Sequence, residues 1–188
     1  MLRKFLLMLS FAAAGLAGCN ARTASPPQPR EAAPAAGEIG SRFPDFSVTD
    51  LQGHEISSAD LRGKVVLIDF WATWCQPCKK EMPGYQKLLD RYGPKGFSVI
   101  GLKFDTMQDT EDPIRFARKI GVHYPLALAS DELKAKFGGI EGLPTTMLYD
   151  RSGVLRKKII GFEYTSTVEE ELKPLLSGIT WGSDIRKR

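Results

Sequence analysis

From Val65 to Trp71 the chain reads Val-Val-Leu-Ile-Asp-Phe-Trp, an apolar run interrupted by one acid. A short run of this kind, with no polar alternation, predicts a strand covered on both faces at the centre of a sheet. Phe97 to Phe104 predicts a second strand. Ahead of both, Phe46-Ser47-Val48-Thr49 and His54-Glu55-Ile56 flank Asp50-Leu51-Gln52-Gly53, the pattern of a small hairpin. Cys78 to about Tyr92 reads as a helix, with Pro83 expected to kink it and Gly93-Pro94 following its end. Asp112-Pro113 supplies an N-cap and a first-turn proline. Ile114, Phe116, Ala117 and Ile120 then form one apolar helix face, and Gly121 ends it. Leu126 to Ala129 predicts a short strand, and Asp131 to Phe137 a short helix stopped by Gly138-Gly139. Thr145 to Tyr149 and Val154 to Ile160 flank the turn Asp150-Arg151-Ser152-Gly153, and Val168 to Leu176 closes as a helix. This order predicts an α/β domain: a central mixed β-sheet flanked by helices, with an N-terminal β-hairpin and a central α/β insertion.

The two ends differ from this domain. Arg3 and Lys4 precede an apolar stretch from Phe5 to Ala17. That stretch is shorter than the roughly 20 residues a spanning helix needs, so residues 1–18 read as an export signal. Leu16-Ala17-Gly18-Cys19 resembles the bacterial lipobox. The resemblance implies cleavage before Cys19 and a diacylglycerol on its sulfur; the alternative is an ordinary secretory peptide with an incidental cysteine. Asn20 stands where an aspartate would signal inner-membrane retention. Residues 19–40 are rich in Ala, Pro, Ser and Gln with no apolar period, the composition of a disordered tether. The folded domain is assigned to residues 41–177, and residues 178–188 to a C-terminal tail.

Charge adds an exclusion. The formal net charge is +4 over 188 residues, and Arg3 and Lys4 belong to the leader. The remaining basic residues are scattered and interrupted by acids, which argues against nucleic acid. The closing Arg186-Lys187-Arg188 reads as a solvated tail.

The chemistry concentrates where the first strand ends, at Trp74-Cys75-Gln76-Pro77-Cys78. Two sulfurs one helical turn apart close a small disulfide ring. The first lies where unpaired N–H groups and the helix dipole favour a thiolate, the attacking species in disulfide exchange. A structural zinc needs two further ligands of similar spacing, and only Cys19, His54 and His123 remain, isolated from one another. A plain structural disulfide is a second alternative. Cys75, Cys78 and Glu81 step by three and share a helix face. Asp69 stands inside the apolar strand, where burial disfavours its ionised form and raises its pKa.

These residues together give the chain a family likeness. Over about Phe43 to Ser177 it resembles the thioredoxin superfamily, and within it the membrane-tethered TlpA/ResA-like thiol oxidoreductases. The likeness rests on Asp69-Phe70-Trp71-Ala72-Thr73-Trp74-Cys75-Gln76-Pro77-Cys78, on Lys79-Lys80-Glu81-Met82-Pro83, on Gly142-Leu143-Pro144-Thr145-Thr146, and on the leader. It implies a thioredoxin fold with Cys75 as an exposed nucleophile capping the helix and Cys78 as the resolving thiol. It implies that Pro144 is cis beside the disulfide and that the Leu143 backbone pairs with an extended stretch of the partner. It implies that Asp69 relays the proton of the resolving thiol, at a position where many relatives carry Asn, and that Glu81 supports a reductase role. Trp74, Gln76 and Pro77 would meet the partner, whereas Trp71 is expected in the core. Lys79 and Lys80 are read as a solvated helix flank, and His54, His123 and Met107 as ordinary surface or core positions.

The resulting expectation is a lipid-anchored thiol–disulfide oxidoreductase facing the periplasm or cell exterior. It would use no cofactor or metal, draw electrons from an upstream membrane thiol reductant, and reduce disulfides in partner proteins. By resemblance, the clients are apocytochrome c or a copper-site assembly protein. Three alternatives stand beside it: a disulfide-forming oxidant, a peroxiredoxin-like peroxidase with Thr73 near the thiol, and a copper-delivery module.

Overall fold

The structure, a computed structural model, describes residues 34–109 and 111–178. The expected export signal, the Cys19 attachment site and the tail beyond Gly178 lie outside the described residues.

The order of elements is β1 (Ser47–Thr49), β2 (Glu55–Ser57), β3 (Val65–Trp71), α1 (Gln76–Tyr92), β4 (Phe97–Lys103), α2 (Pro113–Lys119), β5 (Leu126–Leu128), α3 (Asp131–Lys136), β6 (Thr145–Tyr149), β7 (Leu155–Ile160) and α4 (Thr165–Leu176). β1 and β2 form the expected antiparallel hairpin. The other five strands make one mixed sheet in the order β5-β4-β3-β6-β7. β3 pairs parallel with β4 and antiparallel with β6, so it is the central strand, as its apolar run predicts. α2, β5 and α3 form the insertion between β4 and β6.

Alternation along β3 divides the core in two. Val65, Leu67 and Trp71 pack with α1, α2 and α4, through Met82, Tyr85, Leu88, Phe116, Val168 and Leu172. Val66, Ile68 and Phe70 pack on the other face with Phe46, Leu133, Phe137, Met147 and Tyr149. α1 and α4 approach closely at Gly84, where a methyl group would overlap the Thr165 side chain.

Local sequence explains the helix starts. Asp112 accepts the Arg115 N–H at 2.8 Å at the head of α2, and the Ser130 hydroxyl accepts the Leu133 N–H at 3.1 Å at the head of α3. α1 continues past Pro83 as one helix, and α4 begins at Thr165, three residues before the expected Val168. Within the stretch that composition assigns to a tether, the chain is already packed at Gly37. There φ is +78°, and a side chain would overlap the Phe137 carbonyl. Gly40 then donates to the Leu155 carbonyl at 2.9 Å.

Candidate active site

β3 ends at Trp71 and α1 begins at Gln76, so the Cys motif occupies the turn between the central strand and a helix N-terminus. Cys75 is the N-cap: its sulfur accepts the Cys78 backbone N–H at 3.2 Å. Cys75 and Cys78 are joined as a disulfide, with Cα atoms 5.3 Å apart. Gln76 and Pro77 are exposed between them. The expectation of an exposed nucleophile needs correction, because Cys75 is only 3% exposed and Cys78 is fully buried. Capping folds the Cys75 sulfur back over the first turn of α1, where it joins the cluster that holds Trp71, Ala72 and Met82.

Behind the disulfide lie two buried acids. Asp69 is fully buried on β3. Glu81, on the α1 face that also carries Cys78 and Tyr85, is 1% exposed. Burial pushes the Asp69 carboxyl up to about 7, against a weak opposing bond from the Tyr124 hydroxyl at 3.5 Å. Burial, and then the neighbouring Asp69 charge, push Glu81 up to about 9. The Glu163 backbone N–H reaches Glu81 Oε2 at 3.5 Å, while Asp69 Oδ1 and Glu81 Oε1 have no hydrogen-bond partner among the described residues. Two mutually repelling buried acids, raised to and above neutrality, are chemically able to exchange protons with a group placed beside them.

The Leu143–Pro144 peptide is cis. Thr145 pairs with Phe70 across the β3–β6 ladder, so Pro144 lies at the same end of the sheet as the Cys motif. The Pro144 carbonyl accepts the Gly161 N–H at 2.8 Å. Trp74 is 41% exposed, and its indole N–H donates to Thr106 Oγ1 at 2.8 Å. Trp71 is fully buried and stacks on Phe116, with ring centroids 5.4 Å apart. Phe162 and Tyr164 are exposed just past β7 and pack edge to face.

Sequence reasoning missed several polar residues here. The Tyr85 hydroxyl bonds Thr146 Oγ1 at 2.9 Å, and Thr146 stands directly across the ladder from Asp69. Tyr85 carried a legible signal, seven residues after Cys78 and four after Glu81 on one helix face. Tyr124 and Thr146 carried none, because only sheet pairing brings them to Asp69. Lys103 was also missed. It is almost fully buried, and its ammonium donates to Asp109 Oδ2 at 2.7 Å and to the Phe104 carbonyl at 3.0 Å.

A cavity of about 350 Å³ near the β6–β7 turn, lined by Arg42, Phe43, Leu61 and Tyr149, lies at the opposite end of β3 from the thiols. Exchange with a folded protein needs an accessible surface at the sulfur more than a deep cavity, so that cavity carries no weight for the chemistry.

Residues 39–158 match the family model described as the AhpC/TSA family. The chain is 37% identical over 139 residues to thiol–disulfide oxidoreductase ResA of Bacillus thuringiensis (strain Al Hakam), covering 73% of this chain and 79% of the relative. It is 34% identical over 134 residues to thioredoxin-like protein YneN of Bacillus subtilis (strain 168), covering 71% and 78%. Among solved structures, a thioredoxin-family thiol:disulfide interchange protein from Chlorobium tepidum TLS superposes with a TM-score of 0.66 at 30% identity, over 75% of this chain and 99% of that one.

Proposed function

Because this chain belongs to the AhpC/TSA family and, within it, to the ResA-like thiol–disulfide oxidoreductases, we propose that it works outside the cytoplasm as a membrane-tethered reductant of disulfides in partner proteins. The observation that carries the reading is the Cys75–Cys78 disulfide at the head of α1, backed by two buried carboxyl groups.

The cycle balances as follows. The reduced Cys75 thiolate attacks one sulfur of the partner's disulfide, forming a mixed disulfide and releasing the partner's other sulfur as a thiolate, which takes up a proton. Cys78 then gives its proton to the Asp69 carboxylate and attacks Cys75. This restores the Cys75–Cys78 disulfide and frees the second partner thiolate, which is protonated in turn. An upstream membrane dithiol returns two electrons and two protons. Glu81 supports the step by holding a proton beside Asp69, so that the pair delivers and accepts charge without water entering. Trp74, Gln76, Pro77 and the Leu143–Pro144 segment would meet the partner chain. The lipid on Cys19 would keep the domain at the membrane. Apocytochrome c and a copper-site assembly protein are the client classes that this family likeness supports.

Trapping tests the reading. Cys78→Ser in the full-length protein is expected to accumulate a mixed disulfide through Cys75, and Cys75→Ser to accumulate none. Recovery of no adduct with Cys78→Ser would sink it. The direction of electron flow is tested by the reduction potential of the dithiol. A value near that of thioredoxin, about −270 mV, fits a reductant, and a value at or above about −200 mV makes the protein an oxidant instead. The AhpC/TSA match favours one further assay: turnover of hydrogen peroxide with a small dithiol and no protein disulfide would move the reading to a peroxidase. Labelling with a radioactive fatty acid, lost in Cys19→Ser, tests the anchor.

A further inference from the structure

The segment between β4 and α2 is joined to the Cys motif by hydrogen bonds that run through one carboxylate. Asp109 Oδ2 accepts the Lys103 ammonium at 2.7 Å and the Thr106 backbone N–H at 3.0 Å, and Oδ1 accepts the Thr73 hydroxyl. Thr106 Oγ1 in turn accepts the Trp74 indole N–H at 2.8 Å. The side chain of Lys103 is 3% exposed and that of Asp109 is 11% exposed. One buried ion pair therefore ties together the end of β4, the following loop and the two residues that precede Cys75.

We propose that Lys103 and Asp109 are positioning residues, a buried latch that fixes Trp74 beside the disulfide as a preformed contact for the partner protein. The inference rests on the exchange reading above and adds to it a part of the molecule that the Cys motif does not reveal.

The argument is one of cost and placement. Burying a lysine and an aspartate costs more than burying two apolar side chains of the same size, so the pair is poorly explained as a stabilising device. Its geometry supplies what an apolar pair lacks: directional bonds that hold Thr73 and Thr106 in fixed places. Trp74 is the residue they act on. It is half-exposed, adjoins Cys75, and carries an indole N–H whose partner belongs to the latched loop. Cys75 itself is almost covered, so an incoming partner meets Trp74 before it meets sulfur. A side chain ordered in advance does not have to be ordered on binding, which strengthens association and leaves the sulfur chemistry alone. Met107 lies between Thr106 and Asp109 and is fully exposed, so the same bonds present a second apolar side chain on this side of the disulfide.

Two variants of the full-length protein test this. Lys103→Met/Asp109→Leu removes both charges with little change in volume, and Thr106→Val removes the hydroxyl that accepts the indole N–H, together with its longer 3.4 Å contact to Asp109 Oδ2, while leaving the ion pair in place. Hydrogen exchange of the Trp74 indole N–H, followed by NMR and assigned with Trp74→Phe, is expected to accelerate at least about tenfold in both. With insulin as the protein disulfide, KM is expected to rise about five- to tenfold while kcat stays within about twofold. Reduction of Cys75–Cys78 by dithiothreitol is expected to stay within about twofold of wild type, since a small thiol needs no docking surface. Unchanged indole exchange in the double variant overturns the latch. Parallel losses of kcat and melting temperature, with KM unchanged, also overturn it by showing a structural role alone. Should Lys103→Met/Asp109→Leu fail to fold, Thr106→Val decides by the same two readouts. A wild-type protein that reduces no insulin counts against the proposed function, while the indole exchange still decides the latch.

Discussion

The two faces of β3 come from one seven-residue strand and do opposite things. Val66, Ile68 and Phe70 face a largely apolar layer in which Phe43, Phe46, Phe70, Phe137 and Tyr149 meet ring to ring at centroid distances of 4.7–6.4 Å, the Tyr149 hydroxyl bonding the Met147 sulfur. Val65, Leu67, Asp69 and Trp71 face α1, and there the protein buries polar atoms that have no hydrogen-bond partner among the described residues: Asp69 Oδ1, Trp71 Nε1 and Glu81 Oε1. Unpaired buried polar groups cost free energy, and interlocking rings lower it. A strand central to the sheet can carry the first because its other face supplies the second. The stability of the aromatic layer offsets the cost of a buried, acid-lined site one residue away.

The sharpest break in this contrast is expected from Phe70→Ala. It should cost about 3–5 kcal/mol in urea unfolding, yet leave the reduction potential of the Cys75–Cys78 pair in place. A shifted potential would mean that the two faces are not separable. On the α1 face, Asp69→Asn should slow exchange at neutral pH by at least about tenfold, read as turnover of a protein disulfide. Its effect on stability has the opposite sign to that of Phe70→Ala. Asp69 and Glu81 rise from ordinary values of 3.8 and 4.5 to about 7 and about 9 in the folded protein. The folded state therefore holds more protons than the unfolded state across that range, and stability falls as pH rises from about 4 to about 9. Asp69→Asn/Glu81→Gln should flatten that slope and gain stability over wild type as pH rises toward 9, with the advantage gone below pH 4. A wild-type stability that is level across this window would remove the case for two proton-holding acids. The smallest effect is expected from Tyr124→Phe, which deletes the hydroxyl 3.5 Å from Asp69. That bond favours the carboxylate, so its loss should move the pH midpoint of exchange upward by less than about one unit.

Much of this arrangement was legible in the chain because it is local. A short apolar run without polar alternation marks a strand buried on both faces, and β3 is one. Capping and stop residues placed α2 and α3, and the three-residue steps from Cys75 to Cys78 to Glu81 placed a thiol and an acid on one side of α1. The cis Leu143–Pro144 bond came through family likeness, since nothing in Gly-Leu-Pro-Thr marks it locally. Other features were illegible for a physical reason. Whether Cys75 is exposed depends on how its N-cap geometry packs the sulfur, and burial at 3% contradicts the expectation drawn from its position after Trp74. Thr146 and Tyr124 reach Asp69 through pairing with β6 and packing beside β5, contacts that span many tens of residues.

By itself, the sequence determined the periodic elements, the two sulfurs one turn apart at a helix start, and the buried acid behind them. Each of these depends on spacings of two, three or four residues, which the backbone converts directly into a shared face or a shared turn. Tertiary structure alone decided what surrounds those groups. It brought Thr146 to the Tyr85 hydroxyl, covered Cys75, and linked Trp74 through Thr106 to the buried Lys103–Asp109 pair. A charge's cost and a sulfur's access depend on every atom packed against them, and those atoms come from strands and loops that meet only when the sheet forms.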